Sequence, residues 1–304
     1  MSSTMIRFCR RKQQTRKPRT MLKTLLLTAL AMTAFAANSV LCRMALGHNA
    51  IDAASFTLIR LTSGALMLWL IVLAKNKMPA MLNGDWFSAG MLFLYAVMFS
   101  FAYITLSAGT GALILFGAVQ ITMIFAGILA GERPHFSTWF GIALAMGGFI
   151  YLVSPGLSAP SPVGATLMTV AGIFWGLYSL QGRRSTSATA TTMGNFTRAV
   201  PFATITSLLS VTNLNLSMEG VMLAALSGAI TSGIGYVIWY AALPGLTATN
   251  GATVQLSVPV LAALGGIYFL SESFTLRFFM ASSAILLGIG IVLWSTTQSC
   301  RQND

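Results

Sequence analysis

Acidic residues are the scarcest chemistry in this 304-residue chain. Six Asp and Glu stand against eighteen Lys and Arg, and charged residues make up only 8% of the total; a soluble domain carries about 25%. Histidine occurs twice, as His48 and His135, both at the edges of apolar runs and neither near a catalytic partner. There is no HExxH and no pair of aspartates inside an apolar run, so a membrane enzyme would lack its usual machinery. The three cysteines, Cys9, Cys42 and Cys300, show no CxxC or Cys/His spacing, so no metal, cofactor or disulfide framework is implied. No selectivity-filter ring or re-entrant loop suggests an ion channel.

What is present is apolar. Hydrophobic residues make up 56% of the chain and its mean hydropathy is +0.77, more than a soluble fold of this length can hide, so the solvent is lipid. The net charge of +12 resembles a nucleic-acid signal until it is located. Eight of the eighteen basic residues precede Thr24 and abut the first apolar run. That placement predicts contact with anionic lipid rather than nucleic acid. Residues 1–20 read as a basic cytoplasmic tail.

Ten apolar segments follow, at about 21–46, 54–74, 87–107, 110–131, 136–154, 163–182, 191–210, 219–240, 247–270 and 275–297. About twenty residues are needed to cross the hydrocarbon core, and backbone groups in lipid must be satisfied internally, so each is expected to be a transmembrane helix. The first, with Ala34-Phe35-Ala36 after a basic flank, resembles a cleavable secretory signal. An internal repeat argues that it is retained.

The repeat is clearest where Gly111 to Glu132 returns as Gly251 to Glu272, an offset of 140 positions. The same offset pairs Ser39 with Ser179, Arg43 with Arg183, Phe56-Thr57 with Phe196-Thr197, and Gly148 with Gly288. The expected fold is therefore all-α and polytopic, with ten transmembrane helices arranged as two five-helix repeats, 21–154 and 163–298. Lys and Arg orient it. With the tail inside, fourteen lie on the inner side and only Arg277 in an outer loop, so both termini are expected in the cytoplasm and the protein in the plasma (bacterial inner) membrane. Because five is odd, the second repeat inserts upside down relative to the first. Inverted repeats are a recurring design of secondary transporters, since one pattern packed in two orientations yields two conformations of similar energy.

The motifs carried by this frame resemble the drug/metabolite transporter superfamily, specifically its EamA-type ten-helix members. The sixth segment carries Phe174-Trp175-Gly176, Tyr178 and Arg183; the second carries Arg60 in SFTLIRLTSGALML. The fourth ends in Gly131-Glu132-Arg133, followed by Trp139, Gly141 and Gly148, and the ninth holds Pro259-Val260 before Glu272. Departures are Phe35-Ala36 where the family has Trp-Gly in the first helix, and Val119 where it often has proline. The resemblance covers about 21–298 and implies a carrier, commonly an exporter, of small organic metabolites such as amino acids.

Candidate pathway residues are Asn38, Arg60, Gln120, Trp175, Tyr178, Tyr236, Tyr240 and Gln255. Arg60 is a charge inside an apolar run, which is functional by default, although snorkelling to the interface is the plainer alternative. For Arg43, near a helix end, snorkelling is expected. Asn38, Gln120 and Gln255 stand near mid-helix, where transporters place substrate, although interhelical hydrogen bonding would also account for them. Many aromatic residues only anchor helices at the interface, but Trp175 and Tyr178 sit deeper than an interfacial belt. Together they suit an apolar pocket with a few polar fixings. No Asp or Glu lies in mid-helix, so no carboxylate proton relay is expected. Glu132 and Glu272 are expected to cap helix ends and to pair with Arg133 or Arg277. The pairs Gly127/Gly131, Ala229/Gly233, Ala262/Gly266 and Ala284/Gly288 read as close helix contacts, within the chain or between two copies. A structural or accessory membrane protein is the main alternative to a carrier.

Overall fold

The computed structural model describes residues 18–74, 83–129, 136–154, 159–182, 187–242, 246 and 254–302. They form ten helical rods. These are α1 Pro18–Gly47, α2 Ala53–Ala74, α3 Trp86–Ala102, α4 Ala108–Leu129, α5 Phe136–Val153, α6 Pro162–Gly182 and α7 Ala188–Leu209. α8 runs as Met218–Leu226, a π-helical stretch Ser227–Ile234, then Gly235–Ala242; α9 is Ser257–Leu270 and α10 is Leu276–Gln302. Among the described residues the only β pairing is one antiparallel bridge, Ile51 with Leu216. Glu132, Arg133, Gly131, Arg183, Arg184 and Asn250 lie outside the described residues.

Packing follows the repeat. α3 lies on α6 as α8 lies on α1, α4 on α6 as α9 on α1, and α3 on α7 as α8 on α2. The pairs α2–α7, α4–α9 and α5–α10 map onto themselves. Exchanging each helix for the one five places later therefore leaves these main contacts unchanged, as a pseudo-twofold axis requires; the weaker α1–α4 packing has no α6–α9 counterpart of similar extent among the described residues. Glycine sets the closest approaches. A Cβ on Gly288 of α10 would sit 2.5 Å from the Gly141 carbonyl of α5, and one on Gly172 of α6 would sit 2.6 Å from the Leu115 carbonyl of α4.

Among the described residues the helices differ from the expected spans in two places. Among the described residues five helices are long and apolar enough to cross a membrane by length and composition, and α3, α5, α9 and part of α10 are shorter apolar helices. α7 meets neither description. Two of its polar residues, Thr192 and Asn195, are instead buried on a helix packed against α2 and α3. α3 ends at Ala102 rather than near 107, because the Arg43 guanidinium on α1 takes the carbonyls of Tyr103 and Ile104 at 3.0 and 2.9 Å. α9 runs from Ser257 after a helical Val254-Gln255 and a turn at Leu256, and residues 247–253 of the expected span lie outside the described residues.

Both ends of the bundle are tied across the repeats. At one end the α1–α2 connection meets the α7–α8 connection: Asp52 N donates to the Asn215 carbonyl, Ser217 N to the Ala50 carbonyl, and Asn215 Nδ2 to the Asn49 carbonyl. At the other, Asp85 N donates to Asn195 Oδ1 and Arg198 Nη1 to the Asn83 carbonyl at 3.0 Å. Asp85 also caps α3, accepting from Ser88 N and Ser88 Oγ. Burial pushes the Asp85 carboxyl up, but the Ser88 and Phe87 hydrogen bonds and the Arg198 charge outweigh it and hold it below the usual carboxylate range.

Candidate functional site

Two cavities draw attention. The larger, about 350 Å³, opens between the α3–α4 and α9–α10 connections and includes Arg43, Thr105, Ser107 and Glu272. Its charges already satisfy each other. Arg43 Nε lies 3.4 Å from Glu272 Oε1, and both Glu272 carboxylate oxygens accept from Ala108 N, at 3.0 and 2.9 Å. The carboxylate thus caps the N-terminus of α4, where helix N–H groups are unpaired and the dipole favours negative charge. Burial raises the Glu272 carboxyl above its ordinary value, partly offset by the Ala108 N–H and the Arg43 charge. The expectation that Arg43 only reaches to the interface is therefore corrected. The expected pairing of Glu272 with Arg277 is corrected too: the Arg277 guanidinium donates to the carbonyls of Tyr151 and Ser154 and lies over the Tyr151 ring. Both corrections arise because α1 and the α9–α10 connection are neighbours only through the α1–α9 packing.

The smaller cavity, about 20 Å³, is internal and lies between the repeats. Arg60 is on it, 2% exposed, about 10 Å along α2 from its first residue at ~1.5 Å per residue. Burial that complete rules out snorkelling. The guanidinium donates through Nε to Ser232 Oγ at 3.2 Å on α8 and through Nη2 to Tyr95 Oη at 3.1 Å on α3. It also rests over the rings of Phe99 and Tyr95, 4.9 and 5.4 Å from their centroids. Its remaining nitrogen, Nη1, is buried without a hydrogen bond.

Aromatic rings complete the wall. Trp175 on α6 packs 4.8 Å from Tyr95 and 5.1 Å from Tyr236, measured between ring centroids. Phe35 on α1 meets Tyr236 edge-on at 5.9 Å. Asn38, also on α1, accepts through Oδ1 from Ser227 Oγ at 2.7 Å and Thr231 Oγ1 at 3.1 Å. Those two bonds fix the amide and leave its amino group as the part they do not engage.

Of the residues singled out in the sequence, Asn38, Arg60, Trp175 and Tyr236 share this cavity. Tyr178 is one step removed, 5.7 Å from Trp175 and receiving a hydrogen bond from Asn195 Nδ2. Gln120 is buried on α4, while Tyr240 and Gln255 are half-buried; none of these three lines the cavity. Sequence reasoning passed over Ser232 and Thr231, hydroxyls on a helix whose role depends on which helix faces them. Phe35, which stands where the family has tryptophan, is by the offset of 140 the counterpart of Trp175 and lies on the same wall.

This geometry defines a class: a membrane-embedded, multi-pass bundle of two five-helix repeats that enclose, among the described residues, one buried cation between them. The EamA-like transporter family model matches residues 22–154 and again 162–294, and the chain belongs to that family, whose members are transporters. An uncharacterized protein of Pseudomonas aeruginosa is 52% identical over 271 residues, covering 89% of this chain and 94% of that protein. An uncharacterized transporter of Archaeoglobus fulgidus is 25% identical over 204 residues, covering 66% of this chain and 73% of that protein. A crystal structure with a TM-score of 0.65 and 18% identity covers 88% of this chain and 97% of its own, a likeness of fold alone.

Proposed function

We propose that the chain is a secondary carrier that exports small organic metabolites, amino acids or related amphipathic solutes, by alternating access. The observation that carries this reading is the polar and aromatic cavity placed between two repeats whose packing is related by a pseudo-twofold axis. Rocking one repeat against the other would expose Arg60, Asn38, Trp175 and Tyr236 to each side in turn. Tyr178, Tyr240, Gln120 and Gln255 would flank the route rather than hold the cargo.

The charge distribution supports an inner-membrane setting with both termini in the cytoplasm. The Arg43–Glu272 pair then closes the outer end, and the contacts of Asn83 and Asp85 with α7 lie at the inner end. The basic tail meets anionic lipid, and the chain works alone or as a homodimer. Purified protein in liposomes should support counterflow of a labelled solute from a metabolite panel. Binding without flux across the whole panel would refute the carrier reading. A reporter fused at the C-terminus, active only in the cytoplasm, tests orientation.

A further inference from the structure

We propose that the cargo of the internal cavity is a monoanion, an organic carboxylate with a flat apolar body, bound through Arg60 Nη1. The inference rests on the carrier reading and narrows its substrate class. Four observations carry it. Arg60 is 2% exposed and its Nη1 has no hydrogen bond. The chain has six acidic residues; Asp52, Asp85, Glu219 and Glu272 lie at helix ends or in connections, so none of the described ones belongs to the middle of a rod, and Glu132 and Asp304 fall outside the described residues. The polar contacts that Arg60 does make are neutral hydroxyls, Ser232 and Tyr95. Aromatic rings of Trp175 and Tyr236 stand on the same cavity.

A buried cation without a counter-ion is costly in a low-dielectric interior, and a residue kept there at that cost calls for an anion from elsewhere. Guanidinium nitrogens match carboxylate oxygens in geometry and charge. Trp175 and Tyr236 offer π faces to a planar body. The ammonium of a free amino acid would find no carboxylate among these residues, so a simple carboxylate should bind better than its α-amino analogue. The repeat adds a second reason to read Arg60 as cargo-directed: the offset of 140 places Val200 opposite it, so the charge is no requirement of the shared fold. With about 20 Å³ free, the cavity holds a group the size of one water. The apolar body must therefore enter as the repeats separate.

Moving one negative charge outward is also favoured by an interior-negative potential. A potential of 100 mV supports roughly a fifty-fold concentration ratio, enough to drive export without a carboxylate proton relay.

The test uses the full chain, purified and reconstituted, with 3-phenylpropionate, L-phenylalanine, 2-phenylethylamine and chloride as probes. Expected is a rise in melting temperature with 3-phenylpropionate, a smaller one with phenylalanine and none with the amine, together with phenylpropionate efflux that speeds up when a potassium diffusion potential is set negative inside. Arg60→Met should abolish the phenylpropionate shift while the ligand-free protein melts at or above the wild-type temperature, since an uncompensated charge has been removed. Arg60→Lys should keep a reduced shift. If Arg60→Met lowers the ligand-free melting temperature and leaves the phenylpropionate shift intact, Arg60 is structural and the proposal fails. Equal stabilisation by chloride and phenylpropionate would make this a halide site and overturn the organic cargo. Counterflow of amines or neutral solutes with no response to carboxylates overturns the anion assignment alone and leaves the carrier standing. Stabilisation by phenylpropionate without any flux supports the site and sinks the carrier.

Discussion

Substituting Gly228 by alanine should loosen the contact that holds the internal site together. Gly228 lies in the π-helical part of α8 and faces α2. A Cβ there would fall 2.0 Å from Ser63 Oγ and 2.1 Å from the Arg60 carbonyl oxygen, whereas a carbon and an oxygen approach to about 3.3 Å. The serine could rotate away, but the carbonyl cannot, so α2 and α8 must part by about 1 Å. Overpacking of this kind typically costs about 1–3 kcal/mol. The same shift takes the Arg60 Nε–Ser232 Oγ distance, now 3.2 Å, beyond hydrogen-bond reach. Melting temperature of the purified protein is the readout, with Gly90→Ala and Gly147→Ala as controls, because a Cβ at those positions meets nothing within 4 Å. The controls should be neutral or gain up to about 1 kcal/mol from helix propensity. Adding Ser63→Ala to Gly228→Ala should rescue little, since the carbonyl contact remains. A Gly228→Ala protein as stable as Gly147→Ala would refute the packing argument.

The other predictions are more local. Asn38→Asp places a carboxylate in the cavity with Arg60 and should suppress stabilisation by added carboxylates, while Asn38→Ala should lose about 1 kcal/mol from the two hydroxyl contacts; both are read by thermal melting. Because burial raises the Glu272 carboxyl, its ionised form is penalised by folding. Wild type should therefore gain stability relative to Glu272→Gln as pH falls through that raised value, and lose it again as pH rises, in a melting series against pH. Asp85 is depressed, so its contribution is present above the ordinary carboxylate range and is lost only as pH falls below it; Asp85→Ala should cost about 1 kcal/mol at neutral pH by removing the α3 cap. Ser271 ends α9 with φ of 52°, so Ser271→Gly should be neutral to stabilising and Ser271→Val destabilising by about 1–2 kcal/mol.

Much of the architecture was legible in the chain. Apolar runs and the offset of 140 identify the rods and their duplication, because crossing lipid imposes a length and a composition on every segment. Arg60, Trp175, Tyr236 and Asn38 stand out for the same reason: polar or aromatic groups in such runs carry a cost that the sequence displays openly. α7 shows the limit of that rule. Its Thr192 and Asn195 weaken the apolar signal, and it is the packing against other helices that buries them.

Which polar groups meet was decided by the tertiary structure. Ser232 lies 172 positions from Arg60, and Thr231 lies 193 from Asn38. A hydroxyl in a helix commonly bonds the carbonyl four residues back, as Thr231 does with Ser227, so nothing in its local sequence announces a second role. The Arg43–Glu272 pair depends likewise on α1 packing against α9. Composition and periodicity are properties of single segments and survive without a fold. A counter-ion, an orphaned Nη1 and an early helix end are relations between segments, and they come into being only when ten rods pack in one order.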